Sequence, residues 1–203
     1  MFDLVSLVKT AGYLGLFGII FAESGLLLGF FLPGDSLLFT AGFLASQGYL
    51  NIWILAISTF IAAILGDNFG YAMGKKFGPK IFTKEDSFLF HRDHLERARI
   101  FYEKYGGKTI VLARFLPVIR TFVPILAGVG NMKYKSFVFF NIFGAVIWAI
   151  GMTWLGYFLG NTIPNADQYI VPIVIAIVIL SSLPTIAHFL VHLIRSKNQN
   201  EQS

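Results

Sequence analysis

The chain has 203 residues, a formal net charge of +5, no cysteine, and a composition that is 56% hydrophobic. A soluble domain holds about 45–50% apolar residues, so lipid rather than water is the main solvent of this chain. Disulfides and thiolate metal sites are excluded by the missing cysteines, and nucleic acid by the lack of a basic face on a soluble fold; no cofactor and no metal are expected.

In chain order, Asp3 and Lys9 flank Leu4 to Val8 and apolar character continues far beyond, unlike a cleaved signal peptide. Residues 4 to 22 either cross the membrane or lie in its interface. The next apolar run is interrupted at Pro33-Gly34. Proline breaks a helix, and a break at membrane depth must be shielded by protein or line a polar cavity. This predicts a re-entrant helical hairpin over about 20–50. No charge occurs between Ser36 and Gly66, more than the roughly 20 apolar residues a span requires, which places a transmembrane helix at 52–74.

Residues 75–108 then hold nine Lys/Arg against five Asp/Glu, the mark of a cytoplasmic segment. Within it Phe88, Leu95, Ala98, Phe101, Tyr102 and Tyr105 recur at three- and four-residue spacing with Arg92, Glu96, Arg99 and Glu103 between them. That pattern predicts an amphipathic helix on the inner membrane face. A second hairpin is predicted at 108–131, broken at Pro117 with Pro124, followed by spans at 136–160 and 169–194 and a polar tail at 195–203.

Three short matches relate the halves in the same order. Phe31-Leu32-Pro33, Ala41-Gly42 and Gly70 to Gly74 are echoed by Phe115-Leu116-Pro117, Ala127-Gly128 and Gly156 to Gly160. A hairpin returns to its own side and a span crosses once, so the second hairpin starts on the face opposite to the first. The expected fold is therefore a single all-α integral membrane domain of two inverted repeats, each a re-entrant hairpin plus a transmembrane helix, with an additional C-terminal transmembrane helix. Basic residues at 75–108, Lys133, Lys135, Arg195 and Lys197 put the C-terminus in the cytoplasm. Hairpin one then enters from outside and hairpin two from inside.

The charges inside the hairpins carry the functional signal. Hairpin one holds Glu23 and Asp35; hairpin two holds Arg114 and Arg120. Each would cost about 2.5–3.5 kcal/mol at the bilayer centre, so partners or water must meet them. Either the four are plain ion pairs that lock the hairpins, or they act in transport. Burial raises a carboxylate's pKa and a nearby Arg lowers it, which makes Glu23 and Asp35 proton-coupling candidates. Arg114 and Arg120, always charged and shaped for bidentate contact, are candidates to hold a substrate phosphate. Asp67 is either an interfacial or capping carboxylate or a supporting transport residue, and Asn131 and Asn141 are of the same kind. His188 and His192 lie four apart, but no third ligand follows and an interface location is favoured. Catalytic residues are not expected, because phosphatase chemistry needs a nucleophile or metal beside an acid/base.

Glu23 with Phe31-Leu32-Pro33-Gly34-Asp35, Gly66-Asp67-Asn68-Phe69-Gly70-Tyr71 with Gly74-Lys75, Ala113 to Thr121, and Ala127-Gly128 with Asn131-Met132 together resemble the DedA family, also called the SNARE-associated or VTT-domain family. The resemblance runs from about residue 10 to 195. It implies a transporter of the bacterial inner membrane that depends on the proton-motive force, with members that flip undecaprenyl phosphate and eukaryotic relatives that scramble phospholipids. It also implies that Glu23 and Asp35 match an essential acidic pair, and Arg114 and Arg120 an essential arginine pair. Members differ in substrate, so the motifs do not choose the cargo. The expected partners are a membrane lipid, a polyprenyl phosphate or phospholipid, and protons. A membrane enzyme acting on lipid phosphates and a proton-coupled transporter of small ions or solutes stay open as alternatives.

Overall fold

A computed structural model describes residues 4–26, 32–81 and 105–162. Regular structure there is entirely helical: α1 Leu4–Gly25, α2 Gly34–Ser46, α3 Ile52–Ile81, α4 Lys108–Ala113, α5 Pro117–Val129, α6 Tyr134–Ala145 and α7 Gly151–Thr162. A π-helical segment, Val146–Ile150, joins α6 to α7 so that Tyr134–Thr162 runs as one apolar helix of 29 residues. Most of the amphipathic segment, the predicted span at 169–194, the tail at 195–203, and His188 and His192 lie outside the described residues.

Proline sterics explain where the short helices start. A residue before proline is pushed out of the α region, and Leu116 is extended at φ −115° and ψ 102° immediately before Pro117, the first residue of α5. Pro33 likewise stands just outside α2. Pro124 departs from expectation, because α5 runs through it without a break. Neighbouring helices can shield a proline-freed carbonyl at membrane depth, and the buried Pro124 packs beside Gly70 of α3.

Helix lengths fall into two classes. α2 and α5 have 13 residues each, about 20 Å at 1.5 Å per residue, too short for a hydrocarbon core of about 30 Å. α3, with 30 residues, reaches about 45 Å. Among the described residues, three stretches are long and apolar enough to cross a membrane: Leu7–Gly25, Ile52–Gly78 and Tyr134–Thr162. α1 itself is interrupted at Gly12, whose φ of 55° and ψ of −163° are not helical. The span predicted to end at residue 74 continues as helix to Ile81.

The two ends of the molecule differ in chemistry. At one, the Asn51 N–H donates to Tyr13 Oη over 2.6 Å, Lys9 Nζ lies 4.0 Å above the Tyr49 ring, and Trp53 meets Trp154 edge to face at 5.1 Å. Exposed Lys75, Lys76, Lys108, Lys133 and Lys135 mark the other, where Tyr71 Oη donates to the Met132 carbonyl over 2.5 Å. Outward from α3, Ile57, Ile61, Leu65, Phe69, Met73 and Phe77 repeat every four residues as an exposed apolar stripe. In water such a stripe would be a liability; it is the surface a lipid-solvated helix presents.

Packing follows the same correspondence in both halves. Gly42 of α2 and Gly156 of α7 allow backbone-to-backbone approach, a Cβ at either colliding with main chain of the other helix. Gly128 of α5 and Gly74 of α3 do the same. The short helix of each half thus crosses the long helix of the other half through small residues, the usual way for helices to close in lipid. Two apolar clusters result. Leu55, Ala62 and Ala63 of α3 belong to one, with Leu37, Leu38 and Ala149, and Tyr71 belongs to the other, with Ile110, Val123 and Phe137. Asp67 lies between them along α3, at the level where the site is built.

Candidate functional site

Glu23 lies in the last turn of α1 and is 0% exposed, and Asp35 lies in the first turn of α2. Both carboxylates therefore sit at the N-terminus of α2, where unpaired N–H groups favour negative charge. Glu23 Oε1 accepts the Gly34 N–H over 3.2 Å, and any Cβ at Gly34 would run into that carboxylate. Glycine at 34 is what lets a side chain of the preceding helix cap α2.

Arg120, in the first turn of α5, reaches both acids. Its Nη2 forms an ion pair with Glu23 Oε1, and Nη1 donates to Asp35 Oδ1 over 2.7 Å. Arg114, the residue capping the C-terminus of α4, goes elsewhere. Its Nη2 binds Asp67 Oδ2 of α3 and Asn141 Oδ1 of α6, and Asn141 Nδ2 donates onward to the Ile64 carbonyl over 3.3 Å. Arg114 thus uses one amino group for two acceptors, whereas Arg120 uses both arms of its planar donor fork.

Trp148 joins the two arginine centres. Its Nε1 donates to Asp35 Oδ1 over 2.6 Å, the oxygen that also receives Arg120. The same indole lies beneath both guanidiniums, with Arg120 Cζ 4.8 Å and Arg114 Cζ 5.9 Å from the ring centroid. Three carboxylates against two guanidiniums leave one negative charge in excess when all are ionised. Among the described residues, Glu23 Oε2, Arg114 Nε and Arg120 Nε are buried without a hydrogen-bond partner. Such groups are costly unless water or a ligand reaches them.

The structure thus brings Glu23, Asp35, Arg114, Arg120 and Asp67 into one buried network, and adds Asn141 and Trp148. Asn131 is not part of it. That residue occupies the exposed turn after α5 at φ +53°, a left-handed conformation that Asn tolerates better than most residues. Its place in the sequence reflects a turn, so it gives no support to the charges. Sequence reasoning passed over Trp148; the available signal was an indole N–H inside a run without charge, which needs an acceptor once buried.

A VTT domain model matches residues 32–158. The chain is 44% identical over 182 residues to Protein DedA of Escherichia coli (strain K12), covering 89% of this chain and 83% of that protein. It is 45% identical over 168 residues to an uncharacterised membrane protein of Mycobacterium leprae (strain TN), covering 83% and 75%. With Inner membrane protein YqjA of Escherichia coli (strain K12) it shares 34% identity over 152 residues, covering 74% and 68%. No solved structure matches. A buried charge network between apolar helices, the domain match and these relatives together place the chain in the VTT-domain family of membrane proteins, the DedA family.

Proposed function

We propose that this protein is a proton-coupled membrane transporter whose cargo is a lipid phosphate, an undecaprenyl phosphate or a related headgroup, carried across a bacterial inner membrane. The observation that carries the reading is the double hold on Arg120 by Glu23 and Asp35. While both acids are ionised, the guanidinium is occupied. A proton taken by either acid removes one charge, makes the five-membered network neutral, and frees a guanidinium face for a phosphate. Phosphate and carboxylate then compete for one fork, so proton binding and anion binding favour each other by linkage.

The arrangement of the halves supports alternating access. α2 leads from the network to the aromatic end and α5 from the network to the basic end. Positive charge concentrates on cytoplasmic segments, so the basic end is the inner face. Hairpin one is then re-entrant from outside and hairpin two from inside, as inverted repeats with a midplane site require. Rocking one hairpin against the other exposes the network to one side at a time.

Reconstitution into liposomes with labelled undecaprenyl phosphate tests the proposal. Leaflet exposure of the label should change faster with a pH gradient than without one, and Arg120→Ala should abolish the response. Release of inorganic phosphate would instead make the protein an enzyme of lipid phosphates, and gradient-driven flux of a small ion without lipid movement would make it a solute transporter.

A further inference from the structure

Asp35 has two donors on one oxygen, and they differ in kind. Arg120 is a cation whose partner under the proposed mechanism changes from carboxylate to phosphate. Trp148 is a neutral N–H that never titrates. It is buried at 2% exposure and lies within the π-helical segment Val146–Ile150. π-turns are rare and concentrate at functional sites, since the wider turn re-aims side chains at a cost in backbone geometry. Here the segment carries an indole whose edge meets Asp35 and whose face meets both guanidiniums.

We infer that Trp148 is a positioning residue for proton transfer: its indole N–H holds Asp35 in one orientation through both protonation states while Arg120 leaves and returns. With Oδ1 accepting Trp148 and Arg120, the proton is directed to Oδ2. The resulting carboxylic acid still accepts the indole N–H through Oδ1, so Asp35 does not swing away when its charge is lost. Other charges face this acid: Glu23 from α1 and Arg120 from α5, with Asp67 of α3 and Arg114 bound next to them. Each of these either carries a charge or changes it with protonation, whereas the indole N–H stays a neutral donor throughout. The inference rests on the proposed proton coupling at Asp35 but not on the identity of the cargo.

The test uses infrared difference spectra of the purified protein in lipid nanodiscs, titrated with acid and without substrate. A protonated carboxyl band that disappears in Asp35→Asn is the Asp35 band. In Trp148→Phe, which keeps a ring beneath the guanidiniums and removes the N–H, that band should shift to higher frequency. Its midpoint should move up by about one pH unit, the size expected for one lost hydrogen bond to a charged group. Asp35→Asn combined with Trp148→Phe should show neither change. A Trp148→Phe protein whose Asp35 band keeps its frequency and midpoint overturns the inference, as does the absence of any Asp35 band. Should Trp148→Phe not fold, the wild type decides: the hydrogen-bond-sensitive Raman band of the indole should track acid titration in wild type and not in Asp35→Asn. A flat indole signal in wild type refutes the role. Because no undecaprenyl phosphate is added and no transport is measured, failure here is separate from failure of lipid-phosphate transport.

Discussion

Arg120 and Arg114 lie six positions apart on either side of the α4–α5 turn, yet they are held in opposite ways. Arg120 binds the two carboxylates at the end of α1 and the start of α2. Arg114 binds Asp67 and Asn141 on the two long helices. Moving α5 away from α1 and α2 would break the first set of bonds and leave the second intact. The contrast assigns different work to residues that the sequence presents as equals: under the proposed mechanism Arg120 is the one whose partners exchange, and Arg114 ties the α4–α5 turn to α3 and α6.

The largest expected effect comes from breaking the anchor. Arg114→Ala leaves Asp67 buried without its cation, and removing one partner of a buried pair costs about 3–5 kcal/mol. Folded yield from membranes should collapse, and Arg114→Met combined with Asp67→Leu should restore much of it without restoring transport. Normal yield for Arg114→Ala would erase the distinction between the two arginines.

Next is Arg120→Lys, which keeps the charge and loses the fork. An ammonium cannot reproduce the planar two-point hold on Glu23 and Asp35, nor bidentate contact to phosphate. Folded yield should stay near wild type, while lipid-phosphate binding in a filter or fluorescence assay falls about tenfold, equivalent to roughly 1.4 kcal/mol. Unchanged binding would reduce Arg120 to a point charge.

Glu23→Gln and Asp35→Asn retain shape and hydrogen bonding without titration. Both proteins should fold and bind the headgroup, and both should lose the acceleration of transport by a pH gradient. If both still respond fully to the gradient, the protons travel elsewhere. The smallest effect belongs outside the comparison: Asn131→Gly relieves a left-handed residue in an exposed turn and should alter thermal stability by less than about 0.5 kcal/mol, with transport unchanged.

Much of this was legible without coordinates, for local reasons. Membrane residence follows from composition, and the breaks at Pro33 and Pro117 follow from ring sterics that act on adjacent residues. Four charges stood out because an ionisable group inside an apolar run requires an explanation. Asp67 reads in the sequence as either a capping or a transport carboxylate, and Asn131 and Asn141 read alike. Neither choice can be made locally, since a carboxylate in mid-helix reads alike whether it faces water or a guanidinium.

Pairing is what tertiary structure decided. Which acid meets which arginine depends on the rotation of each helix about its axis and on where glycines let helices close. Gly34 admits the Glu23 carboxylate to the N-terminus of α2, and the Gly74–Gly128 crossing seats α5 on α3. Trp148 lies in the π-helical segment seven residues after Asn141, a spacing that puts both on one helix face but does not say that the indole meets Asp35 of α2. Sequence by itself determined the solvent, the breaks and the charges, because each is a property of neighbouring residues. The partners of those charges are a property of helices packed at fixed angles, and only the fold brings residues 23, 35, 67, 114, 120 and 148 to one place.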